Sequence, residues 1–150
     1  MPKVEIKHPE KAASTSSYSA GVEIDGWLFI SGQAPLDLQT GAVVRGSIEE
    51  ETRLTLNHIG KVLESAGYSF ADVVKCTCHL GDIQDFGRFD GVYSEFFPGV
   101  RPARTTVEWW TESKLRSTPS HGRRANSVDR LLRGIQQLTG ARHGNSVLPR

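Results

Sequence analysis

The stretch Ala20-Gly-Val-Glu-Ile-Asp-Gly-Trp-Leu-Phe-Ile-Ser31 places two short runs of β-forming residues on either side of Asp25-Gly26. An Asp-Gly pair between two such runs is a strong hairpin signal, because both residues tolerate the positive φ angles of a tight turn. We therefore predict two antiparallel strands. The chain then leaves the second strand at Ser31-Gly32-Gln33. Gly32 there allows a ligand to approach the backbone closely, or is a plain turn glycine.

A helix and a third strand are predicted after the hairpin. Ser47-Ile-Glu-Glu50 matches a capping box, and Gly67 follows the apolar helical pattern as a C′ glycine. Asp72–Leu80 alternates with period two, which is typical of a half-buried strand. One face of that strand is predicted to carry Val74, Cys76, Cys78 and Leu80, and the other Val73, Lys75, Thr77 and His79.

A second, aromatic-rich helix is predicted between a capping aspartate, Asp82 or Asp85, and the stop signal Pro98-Gly99. A short β-branched strand follows at 104–108. The order β-β-α-β-α-β predicts an α+β fold in which two helices pack against one mixed or antiparallel sheet. No further strand is predicted after residue 108, where only a short helix over 128–138 is indicated.

Length and charge divide the chain into a domain and a tail. The 150 residues suffice for one domain, and no apolar run or N-terminal leader predicts a membrane span or secretion. Residues 1–108 carry 10 Lys+Arg and 15 Asp+Glu, whereas residues 109–150 carry 8 and 2. We expect residues 1–108 to form the domain and residues 109–150 a divergent, basic and poorly ordered tail. The acidic domain gives little support to nucleic-acid binding.

The residue types that carry chemistry are few. Cys76, Cys78 and His79 do not make the two spaced ligand pairs typical of zinc, so we predict no metal and two reduced, buried, cytosolic thiols. Arg104 opens a strand, where its planar fork can hold a carboxylate through two parallel hydrogen bonds. The residues alone favour a surface arginine paired with an acidic neighbour.

Several segments together resemble the Rid family, the YjgF-type enamine and imine deaminases, over residues 16–108. The most specific are Ser31-Gly32-Gln33 and Pro102-Ala-Arg-Thr105. The other matching segments are Tyr18–Val22, Trp27–Ser31, Asp37–Gly41, Glu50–Gly67, Asp72–Thr77, Asp85-Phe86, Val92–Phe96 and Arg101–Val107.

The resemblance implies a chorismate-mutase-like fold and a cytoplasmic homotrimer with sites at the subunit clefts. It implies a hydrolase of the 2-iminobutanoate/2-iminopropanoate deaminase type that acts in metabolite damage control without a cofactor. Its substrates would be enamines and imines such as 2-aminoacrylate, converted to 2-oxo acids and ammonia. Arg104 would grip the substrate carboxylate as the catalytic residue, and Tyr18, Gly32, Asp90 and Thr105 would complete the substrate-binding site.

Two departures from the family pattern stand out. Asp90 lies where the family often has asparagine, which places a charge in the site and alters substrate choice. The family's C-terminal Val-Glu-Ile-Asp strand, whose glutamate positions the attacking water, is absent. We therefore expect impaired catalysis, an uncovered sheet edge and impaired assembly.

The codons of the tail suggest an origin for the second departure. One back-translation of Trp109–Ser120, read from the third base of its first codon, encodes Val-Asp-Gly-Ile-Lys-Val-Glu-Ile-Asp-Ala-Ile. We hypothesise that residues after about Glu108 are a frameshifted translation, natural or introduced by a sequencing error, with a natural divergent tail as the alternative.

Two other functions stay open at this point. One is a non-catalytic, trimeric small-molecule-binding or chaperone-like protein that keeps the Arg104 cleft. The other is an RNA-directed translation inhibitor or ribonuclease, for which the sequence offers no aromatic stacking platform. No partner other than a small enamine, imine or 2-oxo acid and further copies of the chain is expected, and none in a membrane.

Overall fold

Two helices pack on one face of a six-stranded sheet in the computed structural model, which describes residues 2–11, 17–109 and 138–142, the last as backbone only. The helices are α1 (Ile48–Ser65) and α2 (Phe86–Glu95). The strands are β1 (Val4–Ile6), β2 (Gly21–Ile24), β3 (Trp27–Ile30), β4 (Val73–Leu80), β5 (Ala103–Glu108) and β6 (Leu138–Arg142). Their order is β1-β2-β3-β6-β4-β5, with β4 and β5 parallel and the other neighbours antiparallel. The predicted α+β layer architecture is confirmed.

The hairpin forms as predicted. Asp25 and Gly26 have φ angles of 51° and 74°, and they connect strands whose register pairs Ile24 with Trp27. Two consecutive positive φ angles are typical of the type I′ turn, whose twist matches that of the flanking strands. Leu28 and Ile30 of β3 are 0% and 1% exposed, so this hairpin supplies one wall of the core.

Both ends of α1 are set by the predicted signals. The Ser47 hydroxyl accepts from the Glu50 amide at 3.3 Å, and the Glu50 carboxylate accepts from the Ser47 amide at 2.7 Å. Gly67 follows the helix with a φ of 79°, a conformation that glycine adopts without a Cβ clash. The helix packs its buried face into the core through Thr52, Thr55, Leu56, His58, Ile59, Val62 and Leu63.

The prediction that Val74 lies on the buried face of β4 is wrong. Cys76, Cys78 and Leu80 are buried as expected, but Val73 is 4% exposed and Val74 is 47% exposed. The pairing of β4 with β6 shifts register between Val73 and Lys75. This irregularity breaks the strict alternation of side chains and turns Val73, rather than Val74, toward the helices.

Strand β6 corrects a second prediction, that no strand follows residue 108. Its backbone lies between β3 and β4, pairing Thr139 with both Ile30 and Cys76. Leu138-Thr-Gly-Ala-Arg142 has little β propensity, but backbone pairing with two neighbours overrides such a weak local preference. The gap between β3 and β4 is therefore filled, contrary to the expected uncovered edge.

Most of the tail lies outside the residues that the structure describes. The predicted helix over 128–138 and the frameshift hypothesis for residues after about Glu108 fall mostly outside the described residues. The division of the chain at residue 108 stays a prediction. Within the part of the chain that the structure describes, no helix is long and apolar enough to cross a membrane.

Candidate active site

Arg104 lies on β5 with its side chain on the helix-facing side of the sheet. It pairs in register with Cys76 of β4, whose side chain is fully buried. Since residues directly opposite each other in a sheet share a face, Arg104 and Cys76 point to the same layer. The Arg104 side chain is 20% exposed, so it lies at the border of the core rather than on the open surface.

Three aromatic rings of α2 form a bed for the guanidinium. The Arg104 Cζ atom lies 4.6 Å from the ring centroid of Tyr93, 5.3 Å from Phe86 and 5.4 Å from Phe89. Cation–π attraction at these distances holds the plane of the guanidinium while its edge, which carries the N–H donors, stays available. Burial, followed by the neighbouring Cys76, raises the pKa of the Tyr93 phenol, so Tyr93 is neutral and serves as an apolar wall.

Asp90 completes the charged part of the site. Its Oδ1 atom accepts a hydrogen bond from Arg104 Nη1 at 2.7 Å, and its side chain is 47% exposed. Two of the predicted site residues, Arg104 and Asp90, are thus brought together. Their contact also agrees with the alternative drawn from the residues alone, an arginine paired with an acidic neighbour.

The structure does not bring the other predicted site side chains to Arg104 within the chain. The Thr105 hydroxyl accepts from Lys75 Nζ at 2.8 Å on the opposite face of β5. Gly32 follows β3, which lies three strand spacings from β5, or roughly 14 Å. Tyr18 is 58% exposed and precedes β2, four spacings or about 19 Å away.

Sequence reasoning missed the aromatic bed. Phe86, Phe89 and Tyr93 lie three and four residues apart, so they share one face of α2. That spacing was visible in the sequence, but nothing local indicated that the face would meet Arg104 on a strand. The burial of both thiols was predicted correctly, since Cys76 and Cys78 are each 0% exposed. The His79 ring packs 5.1 Å from that of Trp109.

Comparison with known proteins shows the family to which the sequence belongs. The family model described as Endoribonuclease L-PSP matches residues 9–111. A RutC family protein of Saccharolobus solfataricus is 47% identical over 105 residues, which is 69% of this chain and 83% of that protein. A protein of Mus musculus named 2-iminobutanoate/2-iminopropanoate deaminase is 38% identical over 103 residues, 69% of this chain and 76% of that protein. The chain belongs to the Rid/YjgF family.

Solved structures of the Rid/YjgF family share the fold over most of the chain. The conserved Rid family protein YyfA from Yersinia pestis has a TM-score of 0.75 at 26% identity, covering 95% of this chain and all of that one. The YjgF gene product of E. coli has a TM-score of 0.71 at 25% identity, covering 93% and 98%. Strand β6, at Leu138–Arg142, lies beyond the region matched by the family model.

Strand β6 does not supply the glutamate of the missing family strand. Its five residues, Leu138-Thr-Gly-Ala-Arg142, contain no carboxylate. Glu108, at the end of β5, accepts from the Ile83 amide at 3.1 Å through Oε1. Neither β6 nor this glutamate supplies an obvious counterpart of the glutamate that the family resemblance implies.

Proposed function

We propose that the chain is a Rid-type hydrolytic deaminase of imines derived from amino acids. A protonated imine of a 2-oxo acid, R–C(=NH2+)–COO−, takes up water and yields the 2-oxo acid and ammonium. The observation that carries this proposal is the Arg104 guanidinium, fixed on three aromatic rings with most of its donor edge uncommitted. A planar fork held in this way suits a substrate carboxylate.

The location of the predicted residues supports a site between protomers. Tyr18 and Gly32 adjoin strands about 19 Å and roughly 14 Å from β5, so a cleft that uses them together with Arg104 needs a second copy of the chain. A cytoplasmic homotrimer is the assembly that we propose. Thr105 would contribute through its backbone, because its side chain faces Lys75 on the other side of the strand.

A second candidate, a non-catalytic binding protein with the same cleft, is favoured by one observation. The β6 segment that completes the sheet carries no acid to handle the attacking water. On this account the chain binds small 2-oxo acids and hydrolyses imines slowly. The family description as an endoribonuclease provides a third reading, which the net charge of −5 over residues 1–108 disfavours.

The proposal is tested by ammonia release from an imine generated in situ by an amino-acid oxidase. Arg104→Lys removes the two-point fork but keeps the charge, and we expect it to lower kcat/KM at least about tenfold, since charged hydrogen bonds are worth roughly 1.5–3 kcal/mol. Arg53→Lys is the matched control, because Arg53 pairs with Glu95 on the exposed side of the helices. Equal losses in both variants, or no acceleration by the unmodified chain above the uncatalysed rate, would refute the proposal.

A further inference from the structure

The arginines around α2 differ in how completely they are paired. Arg53 donates to both carboxylate oxygens of Glu95 through its two Nη atoms. Arg88 donates to both oxygens of Glu49 through Nε and Nη2, at 2.8 and 2.7 Å. Both arginine side chains are about half exposed, at 48% and 56%. These are complete two-point pairs at the surface, with both carboxylate oxygens engaged.

Arg104 and Asp90 form an incomplete pair in a more buried place. A single hydrogen bond joins Nη1 to Oδ1, although Arg104 is only 20% exposed. Among the described residues, neither the remaining N–H groups of Arg104 nor Oδ2 of Asp90 has a hydrogen-bond partner. The remaining N–H donors of Arg104 therefore lie next to an Asp90 oxygen that can still accept a hydrogen bond.

We infer that the Arg104–Asp90 pair recognises a ligand that carries a carboxylate beside a protonated nitrogen, with Asp90 binding the nitrogen. The remaining donors of Arg104 take the carboxylate, and Asp90 Oδ2 accepts from the N–H of an iminium or ammonium group. This inference rests on the proposed function and deepens it. It makes Asp90 the residue that determines specificity for α-imino and α-amino acids over acids without the positive charge.

The same arrangement discriminates between substrate and product. A protonated imine presents N–H donors to Asp90, whereas the 2-oxo acid product presents a carbonyl oxygen, which carries partial negative charge and only accepts. A carboxylate facing that oxygen is an unfavourable contact. Asp90 thus favours retention of the imine and release of the 2-oxo acid, which an asparagine at the same position would not do.

The test compares the affinities of two three-carbon probes, L-alanine and pyruvate, by NMR titration of the full chain. We expect the unmodified chain to bind alanine about tenfold more tightly than pyruvate. In Asp90→Asn we expect the ratio of the two dissociation constants to shift at least about tenfold toward pyruvate, which abolishes the preference. Asp90→Ser removes the carboxylate with a smaller side chain and should shift the preference in the same direction. Glu95→Gln is the matched control, since it removes one carboxylate from the same helix at the Arg53 pair.

The outcomes separate this inference from the proposed function. If Asp90→Asn changes both affinities equally, or behaves like Glu95→Gln, Asp90 does not bind the nitrogen and the inference fails while the role of Arg104 stands. If neither probe binds the unmodified chain, or Arg104→Lys leaves both affinities unchanged, the carboxylate site itself is refuted, and the inference falls with it.

Discussion

At the scale of single residues, the site depends on how one guanidinium is held. The guanidinium of Arg104 carries the positive charge and the N–H donors. Its orientation is set by three aromatic rings of α2, whose centroids lie 4.6–5.4 Å from Cζ. Two of these rings also belong to the core, because Phe89 and Tyr93 are 0% and 4% exposed. The orientation of Arg104 is therefore tied to the packing of the whole helix layer.

Phe86, the most exposed of the three rings around Arg104, provides a test of the cation–π contacts. Phe86 is 38% exposed, so Phe86→Leu should remove one cation–π contact with little effect on folding. Such a contact is worth about 0.5–1 kcal/mol at a partly exposed position, so we expect the dissociation constant for pyruvate to rise roughly two- to fivefold. Phe86→Tyr keeps the ring and is the control. A Leu variant that binds as tightly as the Tyr variant would show that the contact does not orient Arg104.

At the scale of elements, the sequence predicted the parts whose causes are local. The hairpin follows from Asp25-Gly26, and the start of α1 follows from Ser47 and Glu50, since each signal and its effect lie within a few residues. The pairing of Arg104 with Asp90 joins residues 14 positions apart on different elements, so no local pattern specified it.

The two elements predicted wrongly share a tertiary cause. Val73 and Val74 exchange faces at a register shift between β4 and β6, which depends on a partner more than 60 residues away in the chain. Strand β6 forms from a segment containing Gly140 because both β3 and β4 offer backbone partners. Neither outcome can be read from the residues concerned.

The codons of the tail provide a prediction about the origin of these last elements. If residues after about Glu108 are a frameshifted translation, the DNA that encodes Trp109–Ser120 should read Val-Asp-Gly-Ile-Lys-Val-Glu-Ile-Asp-Ala-Ile from the third base of the first codon. Sequencing that DNA is the measurement. Codons incompatible with this reading would show that the tail is natural and divergent. The strand used to replace the tail in an activity test would then have to be taken from a relative.

At the scale of the whole molecule, the N-terminal segment is joined to α1 through two histidines. His8 is 5% exposed, its Nδ1 atom accepts from the Glu10 amide at 3.2 Å, and its ring lies 5.5 Å from that of His58. Burial, followed by the charge of His58, lowers the pKa of His8 below 6.5, with Lys11 and Lys61 acting in the same direction and Glu10 against it.

This pair predicts how stability depends on pH. Because the folded-state pKa of His8 is depressed, the unfolded chain binds more protons below about pH 6.5. The free energy of unfolding should therefore be constant above that pH, as far as His8 contributes, and fall as the pH drops through 6.5 toward 5. Urea denaturation at several pH values measures this, with His8→Gln expected to flatten the dependence between pH 7 and 5. An identical pH profile in that variant would contradict the role of His8.

We propose that this chain binds substrate carboxylates at Arg104 as a Rid-type deaminase does, but lacks a counterpart of the family glutamate that handles water. The most direct test compares ammonia release by this chain with that by a chain whose residues from 109 onward are replaced by Val-Asp-Gly-Ile-Lys-Val-Glu-Ile-Asp-Ala-Ile. Since positioned acid–base catalysis contributes about 10²–10⁴-fold, we predict that the replacement raises kcat by that order and leaves the affinity for pyruvate nearly unchanged. Equal kcat values at equal protein concentration would show that catalysis by this chain does not need the family glutamate.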